Sequence, residues 1–178
     1  MMETILQFWF EELKPAQWWV KDKELDQLIY DRFAAIHTKA GHCELYDWRK
    51  TAEGRLAEII ILDQFSRNMY RDTPQAFTQD QLALVLAQEA VAGGFDQQLP
   101  PVKRSFIYLP YMHSESLKIH EVAEKLYSQP GLESHLEWEI KHKDIIKRFG
   151  RYPHRNRILG RKSSEEEDLF LQQPGSRF

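Results

Sequence analysis

An all-α fold of about eight helices in antiparallel hairpins is what this chain predicts, on three observations. Apolar residues recur at three- and four-residue spacing nearly everywhere. Alternation of period two is absent. Gly and Pro punctuation leaves only short connections, which fold each helix back on its neighbour. No linker interrupts the pattern, so residues 1–178 read as a single all-helical domain.

The first helix is expected over about 4–13, with Ile5, Phe8 and Trp9 on one face. A second, over about 22–40, carries the stripe Leu25, Leu28, Ile29, Phe33, Ile36 and Ala40 and stops at Gly41. The third, over about 52–67, is apolar almost all round, the mark of a central helix. The fourth opens on Thr78 as N-cap, with Asp80 in its first turn and Gln81 at the capping-box position, and ends at Gly93 and Gly94. The fifth follows Pro101 and should end or kink at Pro110. Ser114 is the expected cap of a sixth helix, which runs to about Ser128. The seventh spans about 132–149 and is stopped by Gly150. A short eighth begins near Ser163, with acids at its positive end.

Composition narrows the function classes. Hydrophobic residues at 42% and charged residues at 29% give a globular balance, and 12% aromatics with five Trp exclude a disordered chain. A net charge of −3 argues against a charge-driven nucleic-acid or membrane partner. The single cysteine, Cys43, cannot form an internal disulfide, and no apolar run approaches the roughly 20 residues that span a bilayer. The N-terminus lacks a basic segment of the secretory kind. A cytoplasmic location is the expectation. The charge is uneven: nine Lys or Arg and one acid, Asp144, lie over 141–162, and the run Glu165, Glu166, Glu167, Asp168 follows.

Several polar residues sit where a plain helix bundle would not place them. Asp63 shares a face with Ile59 and Ile60, and Arg67 lies one turn on. The structural reading, a buried ion pair, is preferred over a carboxylate that orients Arg67 toward a ligand. His113 follows the Pro110 break; it reads as a helix-end His bonded to a carbonyl, or as a general base. Ser114 is most simply a cap. His142 shares a stripe with Trp138, Ile145 and Phe149, the placement of a satisfied core histidine; Asp144 and Arg148 read as an ordinary helix pair. The stretch RFGRYPHRNRILGR sets Arg151, His154, Arg155, Asn156 and Arg157 among aromatics, so some guanidinium groups should turn inward. They would clamp the chain's own carboxylates or bind a carboxylate or phosphate ligand. No zinc spacing, HExxH, GxGxxG or Walker loop occurs, so neither a metal nor a cofactor is indicated.

The blocks LDQFSRNMYR (62–71), YLPYMHSES (108–116) and HKDIIKRFGRYPHRNRILGR (142–161), with the opening QFWF and the distal EEEDLFLQQPGSRF, resemble the bacterial domain-of-unknown-function family numbered 924. The resemblance covers essentially the whole chain. It implies a tetratricopeptide-like right-handed stack of helical hairpins and no established activity. The family's usual Pro in the D-Q-F-P-R-N block is Ser66 here, a departure expected to bear on the backbone after the third helix.

The leading expectation is a pocket protein or enzyme acting on a small anionic molecule. Asp63, His113 and His142 are its catalytic candidates, and Arg67, Asn68, Arg71, Arg151, His154, Arg155 and Asn156 its ligand-binding ones. The alternative is a module that holds a peptide in a concave groove. A nucleic-acid binder using the 141–162 stretch ranks below both.

Overall fold

The computed structural model describes residues 1–176. Helix α1 (Met2–Gln7) continues into a π turn, Phe8–Glu12. After the 3₁₀ turn Pro15–Trp19, α2 (Lys23–Gly41) begins behind Asp22, whose carboxylate accepts from the amides of Glu24 and Leu25. Gly41 is therefore inside α2 rather than beyond it.

Helix α3 (Ala52–Ile60) is capped by the Thr51 hydroxyl, which accepts from the Gly54 amide at 3.1 Å. Gly54 is required: a Cβ there would fall 2.0 Å from the Trp48 carbonyl oxygen. The helix continues through a π turn, Ile61–Phe65, into α4 (Ser66–Met69), giving one unbroken rod over 52–69. Ser66 stays helical. Its hydroxyl donates to the Leu62 carbonyl at 2.6 Å and meets His37 Nε2 at 2.7 Å.

The remaining helices are α5 (Asp80–Ala92), α6 (Pro101–Met112), α7 (Leu117–Tyr127), α8 (Glu133–Phe149) and α9 (Glu165–Phe170). Three expected boundaries move. The Thr78 cap does not form, because that hydroxyl donates back to the Gln75 carbonyl and α5 starts at Asp80. Pro110 lies inside α6, where eight consecutive buried residues, Ser105 through Met112, offset the roughly 3 kcal/mol that an internal proline costs. Ser116, not Ser114, precedes α7; Ser114 Oγ accepts from the Ser116 amide two residues on. Gly150 ends α8 at φ +68°, and Ser164 with Glu167 forms a complete capping box on α9.

The rod over 52–69 is central. It packs against α1, α2, α5 and α6, while α5 to α8 pack each on the next in chain order. Five consecutive residues of its π turn, Ile61 to Phe65, are buried. Around Phe65, Phe8 and Phe33 lie at 6.1 and 5.0 Å between ring centroids and Trp9 at 5.6 Å. Each such side chain stabilises the fold by about 1.5–3 kcal/mol through burial. A smaller apolar cluster, Ile145, Ile146 and Tyr152 with Phe149 and Phe170, ties the end of α8 and the following loop to α9. Among the described residues no helix is long and apolar enough to cross a membrane.

Candidate functional site

The π turn aims a carboxylate into this interior. A π turn admits one extra residue and shifts the register of the side chains that follow, a device frequent at functional sites. Asp63 lies at its centre with its side chain 1% exposed. The carboxylate accepts from Gln64 Nε2 at 2.5 Å and from His113 Nδ1 at 2.7 Å, and Arg67 Nη1 stands 3.1 Å away. Arg67 then forks onto Asp80, at 2.9 and 3.0 Å. Arg155 comes from the loop after α8; its Nη1 lies 3.4 Å from Asp80 Oδ2, and its Nη2 donates to the His113 carbonyl at 3.0 Å. The Arg155 guanidinium also sits 4.6 Å from the Phe77 ring centre and 4.7 Å from that of Tyr152. Residues from four separate stretches of chain thus form one cluster. Its edge is wet: Arg67, Asp80 and His113 side chains are 20%, 19% and 16% exposed.

The charges fix the protonation states. Burial works to raise the Asp63 pKa, but the charges of Arg67 and His113 and the hydrogen bonds from His113 and Gln64 outweigh it, so the carboxyl is held well below its ordinary range. Burial works to lower that of Arg67, and Asp63 and Asp80 reverse it. His113 goes down: burial and then the Arg67 charge oppose the imidazolium more strongly than Asp63 favours it. An ionised Asp63 can only accept, so Nδ1 of a neutral His113 carries the proton and Nε2 holds the lone pair. Among the described residues, Nε2 of His113 has no hydrogen-bond partner. The Arg155 Nε is buried with none either.

Behind this cluster lies a second, drier one. His120 and Glu139 are wholly buried and joined at 2.7 Å. His120 Nε2 meets the Ser114 carbonyl at 2.8 Å and the Tyr152 hydroxyl at 3.2 Å, and that hydroxyl donates to the Met112 carbonyl at 2.5 Å. Burial, only partly countered by His120, raises the Glu139 pKa. His142 and His154 flank the Tyr152 ring at 5.8 and 5.6 Å. Burial takes both imidazoles down to a pKa of about 3. His142 Nδ1 bonds the Trp138 carbonyl at 2.8 Å, the arrangement of a core histidine. Trp138 itself departs from the expected buried stripe and is 51% exposed.

The ten candidate residues do not all meet. Asp63, Arg67, His113 and Arg155 come together, with His142 and His154 one layer behind. Asn68 and Arg71 instead converge on Asp26, at 2.7 Å for Asn68 and 2.5 and 2.7 Å for Arg71, beside an open hollow of about 480 Å³. Arg151 is held by Glu167 at 2.7 Å. Asn156 bonds Ser163 and Arg161. In the basic stretch Lys143, Arg148, Arg151, Arg155 and Arg161 each pair with an acid elsewhere in the chain, so much of its charge is neutralised internally. Arg148 takes Glu166 rather than Asp144. His113 bonds a carboxylate where a carbonyl was expected.

Sequence reasoning missed Phe77, Glu139 and the site role of Asp80. Asp80 reads along the chain only as a favourable first-turn acid, and no local spacing ties it to Arg67 or Arg155. The described residues contain no group of three or more His, Cys, Asp or Glu able to hold a metal ion.

The chain matches, over residues 5–175, the family described as "Bacterial protein of unknown function (DUF924)", and it belongs to that family. It is similar to the solved structure of a protein of unknown function from Agrobacterium tumefaciens, with 38% identity over 96% of each chain and a TM-score of 0.91. No curated protein matches the sequence.

Proposed function

We propose that this member of the family binds a small anionic molecule at the Asp63–His113–Arg67–Arg155 cluster and that His113 takes up a proton from solvent as the anion binds. The observation that carries the reading is the pairing of His113 Nδ1 with ionised Asp63 at 2.7 Å, with Nε2 left unengaged among the described residues at the wet edge of the cluster. A carboxylate on one imidazole nitrogen fixes the tautomer, orients the ring and stabilises the imidazolium formed when the other nitrogen accepts a proton. The lowered pKa of His113 keeps that lone pair available at neutral pH. Arg67 and Arg155 supply the cationic side of the same site, and Arg forks suit planar or tetrahedral oxyanions. His142 and His154, buried beside Tyr152, hold the wall that carries Arg155 rather than the reacting group.

Calorimetric titration with a panel of small carboxylates and phosphates, run in buffers of different ionisation enthalpy, tests this. The expected result is anion binding coupled to proton uptake by the wild type, with the uptake abolished in His113→Gln and the affinity reduced in Arg67→Gln. Equal proton uptake in His113→Gln would overturn the reading, as would binding that is indifferent to Arg67.

A further inference from the structure

We infer that Asp80 is the chain's own stand-in for the ligand's carboxylate, so that the site takes a small planar monocarboxylate and opens by lifting the strap over residues 73–78. The inference rests on the proposed anion site and names its ligand class and its gate.

Asp80 occupies the place a bound carboxylate would take. Its two oxygens face the Arg67 fork at 2.9 and 3.0 Å, the geometry in which guanidinium recognises a planar two-oxygen anion. Arg155 reaches the same carboxylate only at 3.4 Å, a long contact for two opposite charges. Its Nε, on a side chain 8% exposed, is buried without a partner. Asp80 therefore fills the seat without satisfying it. A free carboxylate, not tethered to α5, can approach Arg155 more closely.

Charge selects the class. Two arginines are balanced by two carboxylates, Asp63 and Asp80, with His113 neutral. Exchange of Asp80 for one monoanion preserves that balance. A phosphate dianion arriving while His113 is neutral would add a negative charge beside ionised Asp63, which repels it. The Phe77 ring, 4.6 Å from Arg155 and 5.6 Å from Arg67, forms an apolar wall and favours a flat ligand over a tetrahedral one.

The strap that carries Phe77 toward Asp80 is loosely tied. Hydrogen bonds found for residues 73–78 stay within the strap or reach Tyr70: Thr73 to Tyr70, Ala76 to Thr73 and Thr78 to Gln75. Thr73, Pro74, Gln75 and Thr78 are exposed, and only Ala76 is buried. What holds the segment down is Ala76, Phe77 and the Asp80 ion pairs. Displacement of Asp80 from the arginines therefore releases the contact that keeps the strap closed.

The test measures acetate and inorganic phosphate affinity in wild type, Asp80→Asn and Phe77→Ala, while following the His113 ring signals by NMR. Asp80→Asn removes the competing charge, and Phe77→Ala frees the strap with every charge retained. Both should bind acetate at least about tenfold more tightly than wild type, since removal of a competing closed state raises apparent affinity by the fraction released. In Asp80→Asn, where the Phe77 wall remains, acetate should bind more tightly than phosphate. Unchanged acetate affinity in both variants overturns the stand-in, and tighter binding of phosphate than of acetate by Asp80→Asn overturns the monocarboxylate class. Should Asp80→Asn not fold, Phe77→Ala alone decides. Tighter acetate binding that leaves the His113 signals unmoved supports the stand-in and refutes proton uptake by His113, so the two readings fail separately.

Discussion

Asp26 and Asp63 are both carboxylates facing an arginine of the rod over 52–69, yet they end in opposite situations. Asp26 receives Arg71 through two nitrogens and Asn68 through one, and among the described residues no histidine or second arginine bonds it. Both Asp26 oxygens are engaged and its charge is cancelled by that of Arg71. Asp63 is more deeply buried and belongs to a chain of five ionisable groups, Asp63, Arg67, Asp80, Arg155 and His113. One acceptor, the lone pair on His113 Nε2, and one donor, the Arg155 Nε, are left over. The same residue types at helical spacing produce a closed strut in one place and a group with capacity to bind in the other. What separates them is the tertiary arrival of His113 and Arg155.

The largest effect expected from this contrast is on stability. Asp63→Ala leaves Arg67 short of a partner in a buried setting and should cost about 3–5 kcal/mol, whereas Asp26→Ala, beside an open hollow and with its Arg71 partner 26% exposed, should cost about 1–2 kcal/mol. Denaturant midpoints of the two variants measure the difference, and equal losses would erase the distinction.

Next comes the acid response. His142 has a folded pKa of about 3 against an ordinary 6.5. Above pH 6.5 it is neutral in both states and its contribution is complete. As pH falls from 6.5 toward 3 the unfolded chain takes up a proton that the folded one refuses, and stability drops by up to about 1.4 kcal/mol per pH unit. Asp63, whose folded pKa lies below its ordinary 3.8, contributes fully above that value and loses its contribution only as pH falls further. Denaturant unfolding between pH 4.5 and 6.5 should therefore be less steeply pH-dependent in His142→Gln, whereas Asp63→Asn, which removes what favours the His113 imidazolium, should not flatten it. The smallest effect is predicted for Arg148→Ala, which breaks an exposed pair with Glu166 and should change stability by at most about 0.5 kcal/mol, as read by thermal denaturation.

Periodicity made the helices legible, because the burial of one face repeats locally: the stripe of α2, the all-round apolarity of the rod over 52–69 and the glycine stop of α8 are all visible in the residue order. The boundaries that shifted have two causes. Thr78 and Ser114 are taken by competing local bonds, to the Gln75 carbonyl and from the Ser116 amide, while Pro110 is overridden by burial that no short window contains. The site was half legible because its pairs depend on packing in the same way. A carboxylate among aliphatics marked Asp63, and one helical turn gave Arg67. Nothing along the chain says that Arg155 should seek Asp80, 75 residues away, or that Arg71 and Asn68 should turn to Asp26 on α2. Those partners are set by how helices pack, and a guanidinium takes whichever carboxylate the packing presents.

Nitrogen-detected NMR of the histidine rings at pH 7 goes straight to the state of His113. A neutral ring with the proton on Nδ1 and a bare Nε2, shifting when acetate is added, is what an Asp63-held base at an anion site requires. A proton on Nε2, or an imidazolium at that pH, would contradict it.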